Sequence, residues 1–387
     1  MPINLPSQNE KQKETDAKTT ATEESDQNKD KINKVGLWFK RFTTIPISEK
    51  LFFVQYLGIM LKAGISLSIA LKTLAKQTKN KRFSGVINEI SKNVEKGTSF
   101  TESLRPHEKI FGQLFVNMVE SGEISGKLEE VLKKLYVQFK KNHELVSKVK
   151  GALTYPIVIL IAMCGIGIFM MVAVVPKITG MFKDFNAELP LPTKILIKFS
   201  DSLVAHGALY IIGAVVFILI FKQLISTAKG KYIFHAVLLK LPIFGTIIKK
   251  INLARFARTI SSLLKTDIMI IKSFQITAQV LGNTHYREAL LTMSDKIKKG
   301  GTISEVVGNY PKLFPPVIVQ MIAVGEETGE LDYVLEELAE FYEGEIDQTM
   351  NNLPAIIEPI LILTLGLVVG GMAVAIIMPM YSLTSAI

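Results

Sequence analysis

The sequence predicts an all-α integral membrane protein: two homologous helical bundles of about six helices each, plus three transmembrane helices. Three observations predict it. First, residues 151–176 run for 26 residues between Lys150 and Lys177 without a charge. As a helix at about 1.5 Å per residue they reach roughly 39 Å, more than the ~30 Å hydrocarbon core of a bilayer. Second, the stretch occurs twice. A shift of 203 positions lays 151–176 on 354–379, with Pro156 on Pro359, Gly167 on Gly370 and Pro176 on Pro379. Third, the polar stretches between show helical spacing, with no strand-like alternation competing.

The register extends upstream without a gap. Phe53 falls on Phe256, Leu61-Lys62 on Leu264-Lys265, Lys96-Gly97 on Lys299-Gly300, Phe111 on Phe314 and Met118 on Met321. One offset held over about 125 residues is the mark of a duplication, because chance matches do not share an offset.

Composition sets bounds. The 387 residues are 48% hydrophobic, with mean hydropathy +0.31 and net charge +10, too apolar for an ordinary soluble chain and too charged to lie wholly in lipid. Residues 50–150 carry 18 Lys/Arg against 9 Asp/Glu, while 222–355 carry 15 against 14. A basic surface of this kind suits anionic lipid; no nucleic-acid motif accompanies it, so no nucleic acid is expected to bind directly. The one cysteine, Cys164, falls inside the first apolar run, which leaves no disulfide frame and no thiolate metal site.

Taken in order, residues 1–47 are a polar tail expected to be disordered, for want of apolar surface to bury. Trp38, Phe39 and Phe42 at its end suit either an interfacial foot or a packing segment. It has no apolar core of a signal peptide, so the N-terminus is expected to stay cytoplasmic. Residues 48–150 form the first helical domain, with apolar positions at Leu51, Val54, Leu57 and Leu61, then Leu67, Leu71 and Leu74, and finally Leu128, Val131, Leu132 and Leu135. Residues 151–176 are the first span and 177–201 a charged outer connector. Residues 202–221, twenty without a formal charge but including His206, are the second span. Residues 222–353 repeat the helical domain with a more acidic last helix, 354–379 are the third span, and 380–387 an outer tail. Two crossings separate the domains, so both share one face. The lysines flanking their ends (Lys140, Lys141, Lys148, Lys150, Lys222, Lys229 and Lys231) place that face in the cytoplasm.

Candidate sites are few. The sequence Gly122-Glu123-Ile124-Ser125-Gly126-Lys127 departs from a phosphate-binding loop, which needs four residues between its glycines and Ser or Thr after the lysine. Its doubled core, Gly122, Glu123 and Gly126 with Gly325, Glu326 and Gly329, reads as a tight interhelical turn or as a partner-contact surface. Glu123 and Glu326 are the two candidates for a divalent ion; otherwise no metal, cofactor or catalytic set is expected. Glu358 opens the third span, where a carboxylate is either a functional group or an interfacial residue favoured by the helix dipole. Tyr155, Pro156, Pro176, Pro359 and Pro379 mark span boundaries or kinks. Gly366 and Gly370 form a GxxxG pair that permits close helix contact and oligomerisation.

In these motifs the chain resembles the F-type inner-membrane platform family of type II secretion and type IV pilus machines, over about residues 48–387. Tyr155-Pro156, Val175-Pro176-Lys177, Leu189-Pro190-Leu191-Pro192-Thr193, Leu241-Pro242-Ile243-Phe244-Gly245, Leu253-Ala254-Arg255-Phe256-Ala257-Arg258-Thr259, Glu358-Pro359 and the doubled Gly-Glu-x-x-Gly carry the resemblance in this order. Thr266-Asp267 departs from the first copy's Ala63-Gly64. The resemblance implies a non-enzymatic scaffold in the bacterial inner membrane, a homo-oligomer that engages a cytoplasmic assembly or retraction ATPase, pilins or pseudopilins, and other inner-membrane components of the machine. A small repeat-built transporter and an archaellum- or tight-adherence-type membrane component are the alternatives.

Overall fold

The computed structural model describes residues 45–184 and 190–384, all helix and turn, with no strand among them. The predicted tail, with Trp38, Phe39 and Phe42, lies outside these residues except at its last positions.

The first copy gives α1 (Ile47–Lys62), α2 (Leu67–Gln77), α3 (Lys81–Glu95), α4 (Phe100–Leu104), α5 (Glu108–Phe111), α6 (Gln113–Ile124) and α7 (Leu128–Phe169). A π-helical stretch, Met170–Val174, joins α7 to α8 (Val175–Asp184), and α9 follows (Leu191–Ser226). Then come α10 (Ala228–Lys240), α11 (Phe244–Leu264), α12 (Ile270–Val280), α13 (Thr284–Lys298), α14 (Ile303–Gly308), α15 (Pro316–Thr328) and α16 (Leu331–Thr384). The offset of 203 survives to the residue: α2 and α3 reappear at both ends as α12 and α13, and the starts of α4, α6 and α7 reappear as those of α14, α15 and α16. Even a cap is repeated. The Asn80 side chain accepts from the Phe83 amide, and the Asn283 side chain accepts from the His285 amide.

Chain packing divides the described residues into two bodies, 45–112 with 123–133, and 113–122 with 134–184 and 190–384. The first is cored by three rings, Phe53, Phe83 and Phe111, with centroids 5.6 to 5.7 Å apart. The second repeats the trio as Phe256, Tyr286 and Phe314, the last 5.0 and 5.5 Å from the other two. Where phenylalanine has become tyrosine, the extra hydroxyl donates to the Leu313 carbonyl at 2.8 Å. A buried hydroxyl with a partner costs little; without one it costs about 1–3 kcal/mol.

This division differs from the expected domain boundary at residue 150. From Lys134 onward α7 belongs to the second body. Leu145 is buried in that core beside Ile247 and Leu253, and buried Gln138 donates to the Thr259 hydroxyl and accepts from Ser262. Apolar spacing marks which face of a helix is buried, not which core buries it.

The helices that hold the expected spans extend well beyond them. Among the described residues three helices are long and apolar enough to cross a membrane, Leu128–Gly180, Leu191–Ser226 and Leu331–Met378. The expected connector is helical at both ends, with α8 running to Asp184 and α9 starting at Leu191. Pro156, Pro354 and Pro359 lie inside helices that continue through them, and Pro176 sits two residues beyond the π stretch. A proline in a helix frees the carbonyl four residues back, or five back where the turn is π-helical, and crowds the turn, which a π stretch relieves. Here the Met171 carbonyl receives the Ser200 hydroxyl at 2.5 Å, and the Thr193 hydroxyl donates to the Ala375 carbonyl, also at 2.5 Å. Both side chains are buried, so all three spans are tied near the connector. The second span bends at His206, whose backbone leaves the helical region at φ −123°, ψ 20°.

Candidate functional site

The doubled Gly-Glu-x-x-Gly builds the same object twice. Glu123, on the last turn of α6, reaches back to the start of α4. Its Oε1 accepts from the Phe100 amide at 2.6 Å, and its Oε2 from the Thr101 amide at 2.9 Å and the Thr101 hydroxyl at 2.6 Å. Glu326, on α15, does the same to α14. Its Oε1 accepts from the Ile303 amide at 2.7 Å, and its Oε2 from the Ser304 amide at 3.0 Å and the Ser304 hydroxyl at 2.9 Å. The first amides of a helix have no intrahelical acceptor and sit at the positive end of its dipole, so a carboxylate there is the natural complement. Helices of five or six residues need such a clamp, being too short to be stable alone.

The electrostatics follow. Partial burial pushes the Glu326 carboxyl up, but the amides of Ile303 and Ser304 and the Ser304 hydroxyl outweigh it, and the net pKa lies below the usual value.

The glycines shape the turn around the latch. Gly122 and Gly325 are buried. A Cβ on Gly325 would come within 3.0 Å of the Leu331 Cα, so only glycine lets α15 approach the start of α16 this closely. Gly126 and Gly329 take left-handed backbone at φ +71° and +76°. Beyond the latch the two tips differ: Ile124 is 83% exposed in the first, and its counterpart in the second is the acidic Glu327.

The acidic run of α16 lies largely against cations of its own body. Arg258, from the Leu253–Thr259 stretch that opens the second copy, is buried and grips Glu343 with Nε at 3.0 Å and Nη2 at 3.1 Å; Glu336 and Glu340 lie 3.6 and 3.8 Å away. Lys265 pairs with Glu336, Lys250 with Glu345 at 2.9 Å, and Lys148 with Asp347 at 2.5 Å. Arg258, Thr193 and Ser200 are the positioning residues that sequence reasoning passed over. Arg258 lay in a quoted motif, but its carboxylate partners are about 80 residues on.

The remaining candidates stand apart from the latch. Tyr155 and Glu358 are exposed on α7 and α16, and Gly366 and Gly370 sit on α16 with open space where a Cβ would project. Among the described residues no group of three or more His, Cys, Asp and Glu is placed to hold a metal ion.

A helical membrane protein made of one unit used twice, each copy latched by the same glutamate and leading into a long apolar helix, defines the class. The chain belongs to the family of type II secretion system protein F, whose profile matches residues 53–176 and again 256–379, two segments whose ends are both displaced by 203. It is 35% identical over 338 residues to the type IV pilus assembly protein PilC of Myxococcus xanthus, covering 87% of this chain and 81% of that protein. It is also 35% identical to PilC of Thermus thermophilus, with 86% and 81% covered. To the type II secretion system protein F of Vibrio cholerae it is 29% identical, with 90% and 86% covered.

Proposed function

We propose that the protein is an inner-membrane platform of a type IV pilus or type II secretion machine, a scaffold that couples a cytoplasmic assembly ATPase to the insertion of pilins or pseudopilins. The observation that carries this reading is the coincidence of the family's doubled match with the doubled latch: both copies keep the rigid unit, while their exposed tips and charge diverge. Two like frames with unlike surfaces suit a part that holds two different neighbours.

The bodies lie in the cytoplasm and the protein does no bond-making chemistry itself. The latch residues act in positioning: they hold α4 and α14 so that the turns at Ile124 and Glu327 are presented to partners. In assembled machines, crosslinkers placed at Ser125 and Thr328 capture the ATPase or a neighbouring membrane component. Capture of neither from either tip, with the machine still producing filaments, removes the reading. Cysteine labelling that puts residues 45–133 and 244–353 on opposite faces of the membrane removes the topology.

A further inference from the structure

The second body contains an open cavity of about 780 Å³ between α10, the bend into α11, α13 and the turn at 309–313. Lys240, Lys249 and Lys312 line it, with Glu288 the one carboxylate among the lining residues, and Leu239 and Ala289 contribute apolar wall. Lys240 and Lys249 precede the second matched segment, and Lys312 has Lys109 as its counterpart 203 positions earlier.

The position of α10 says what would reach this cavity. It begins one residue after the second span ends, and folds back so that Phe234 meets Phe221 edge-on at 6.2 Å. The fold-back is tight: a Cβ on Gly230 would lie 1.9 Å from the Leu224 carbonyl oxygen. At 13 residues, or about 20 Å, α10 is too short to cross a bilayer. It buries no residue fully, and Ile233 and Val237, one turn apart, are 63% and 52% exposed beside Lys229 and Lys231. A short helix at a span's exit with exposed aliphatic side chains and flanking lysines lies in the membrane interface. The site is also electropositive. Burial, then the charges of Lys231, His285 and Arg287, hold the His235 imidazole below its ordinary pKa.

We propose that this cavity takes the phosphate headgroup of an anionic phospholipid, held by Lys240, Lys249 and Lys312, with the acyl chains leaving along Ile233 and Val237. A cationic hollow beneath an interfacial helix offers both halves of such a molecule a place, the charge inside and the chains at the helix face. A soluble phosphate compound would use only the first half. The proposal rests on the second span being in the membrane and on no contact with an ATPase or pilin, so it stands or falls apart from the platform reading.

The test uses the full chain in phosphatidylcholine nanodiscs carrying ten mole per cent of a photoactivatable phosphatidylglycerol, or the same probe on phosphatidylcholine. Adducts are mapped by mass spectrometry. The expected result is labelling concentrated at 232–240 and 309–313, about tenfold stronger for the phosphatidylglycerol probe. The variant K240Q/K249Q/K312Q reduces it at least fivefold, while K296Q/K298Q/K299Q leaves it unchanged. Lys312→Gln alone, on an exposed turn, lowers it about twofold without disturbing the bend. Equal labelling by the two probes, no change in either cavity variant, or complete loss with 50 mM inorganic phosphate at constant ionic strength overturns the proposal, the last by making the site one for a soluble anion.

Discussion

Glu326 is the side chain on which a single change is most informative. Glutamine keeps its shape but offers one acceptor oxygen and turns an NH2 toward donors. Glu326→Gln is therefore expected to lower stability by about 1–3 kcal/mol, read as a fall in the melting temperature of the detergent-solubilised protein. The sign of the pH effect is fixed by the direction of the shift. The folded carboxyl titrates below its ordinary value of 4.5, so the folded state binds fewer protons than the unfolded chain in the acid range. The stabilisation is full above that value and is lost as pH falls through the folded pKa; Glu326→Gln is expected to remove this part of the acid sensitivity. Position 267 makes a second test. Asp267 sits at φ +59° where the first copy has Gly64 at φ +78°. Aspartate tolerates the left-handed region and a β-branched residue does not, so Asp267→Val costs about 1–2 kcal/mol and Asp267→Gly leaves the melting temperature near its starting value. The doubled glutamate was legible as a motif. Its partners at 100–101 and 303–304 were not, because no periodicity says that a side chain reaches back over 22 residues.

Helices of this chain are set by what touches them at their ends. The fold-back of α10 depends on Gly230, and an alanine there drives a methyl into the Leu224 carbonyl. In a Cys164→Ser background, cysteines replacing Phe221 and Phe234 are expected to be joined by a short bismaleimide crosslinker, and Gly230→Ala to lower the yield sharply. A crosslink that persists at full yield denies the glycine this role. Ser200→Ala leaves the Met171 carbonyl without its donor and is expected to cost about 0.6 kcal/mol, the usual worth of an interhelical hydrogen bond in a membrane, again read by melting. Helix starts and stops were legible from pattern and turn residues. What each helix packs against was not. The apolar stripe of α7 reads the same along its length, yet from Lys134 it serves a different core from the turns before it. That α10 folds back on the preceding span is not legible in its apolar residues, which leave open what they pack against.

At the scale of the whole molecule, the duplication was the most legible feature. Two copies under one offset fixed the repeat plan, and the structure keeps it to the residue. The boundary between folded bodies was less legible, because covalent repeats and packed units are not the same thing. Residues 222–353 match the second repeat with its lead-in, but their core also buries Leu145 from α7. Expressed alone, that segment is expected to aggregate or melt without cooperativity, and residues 113–153 supplied in trans are expected to restore a cooperative transition. Cooperative folding of 222–353 unaided would show that the shared helix is dispensable.

The spans, finally, are not mechanically equivalent. The first passes through a π-helical stretch at Met170–Val174 and the second breaks at His206, and such places are where a helix yields. The third is α-helical at every residue from Leu331 to Thr384, 54 residues or about 81 Å of spar, rooted in the acidic face that Arg258 and three lysines clamp. A push or twist delivered to the second body would thus meet broken helical geometry in two spans and a continuous α-helix in the third.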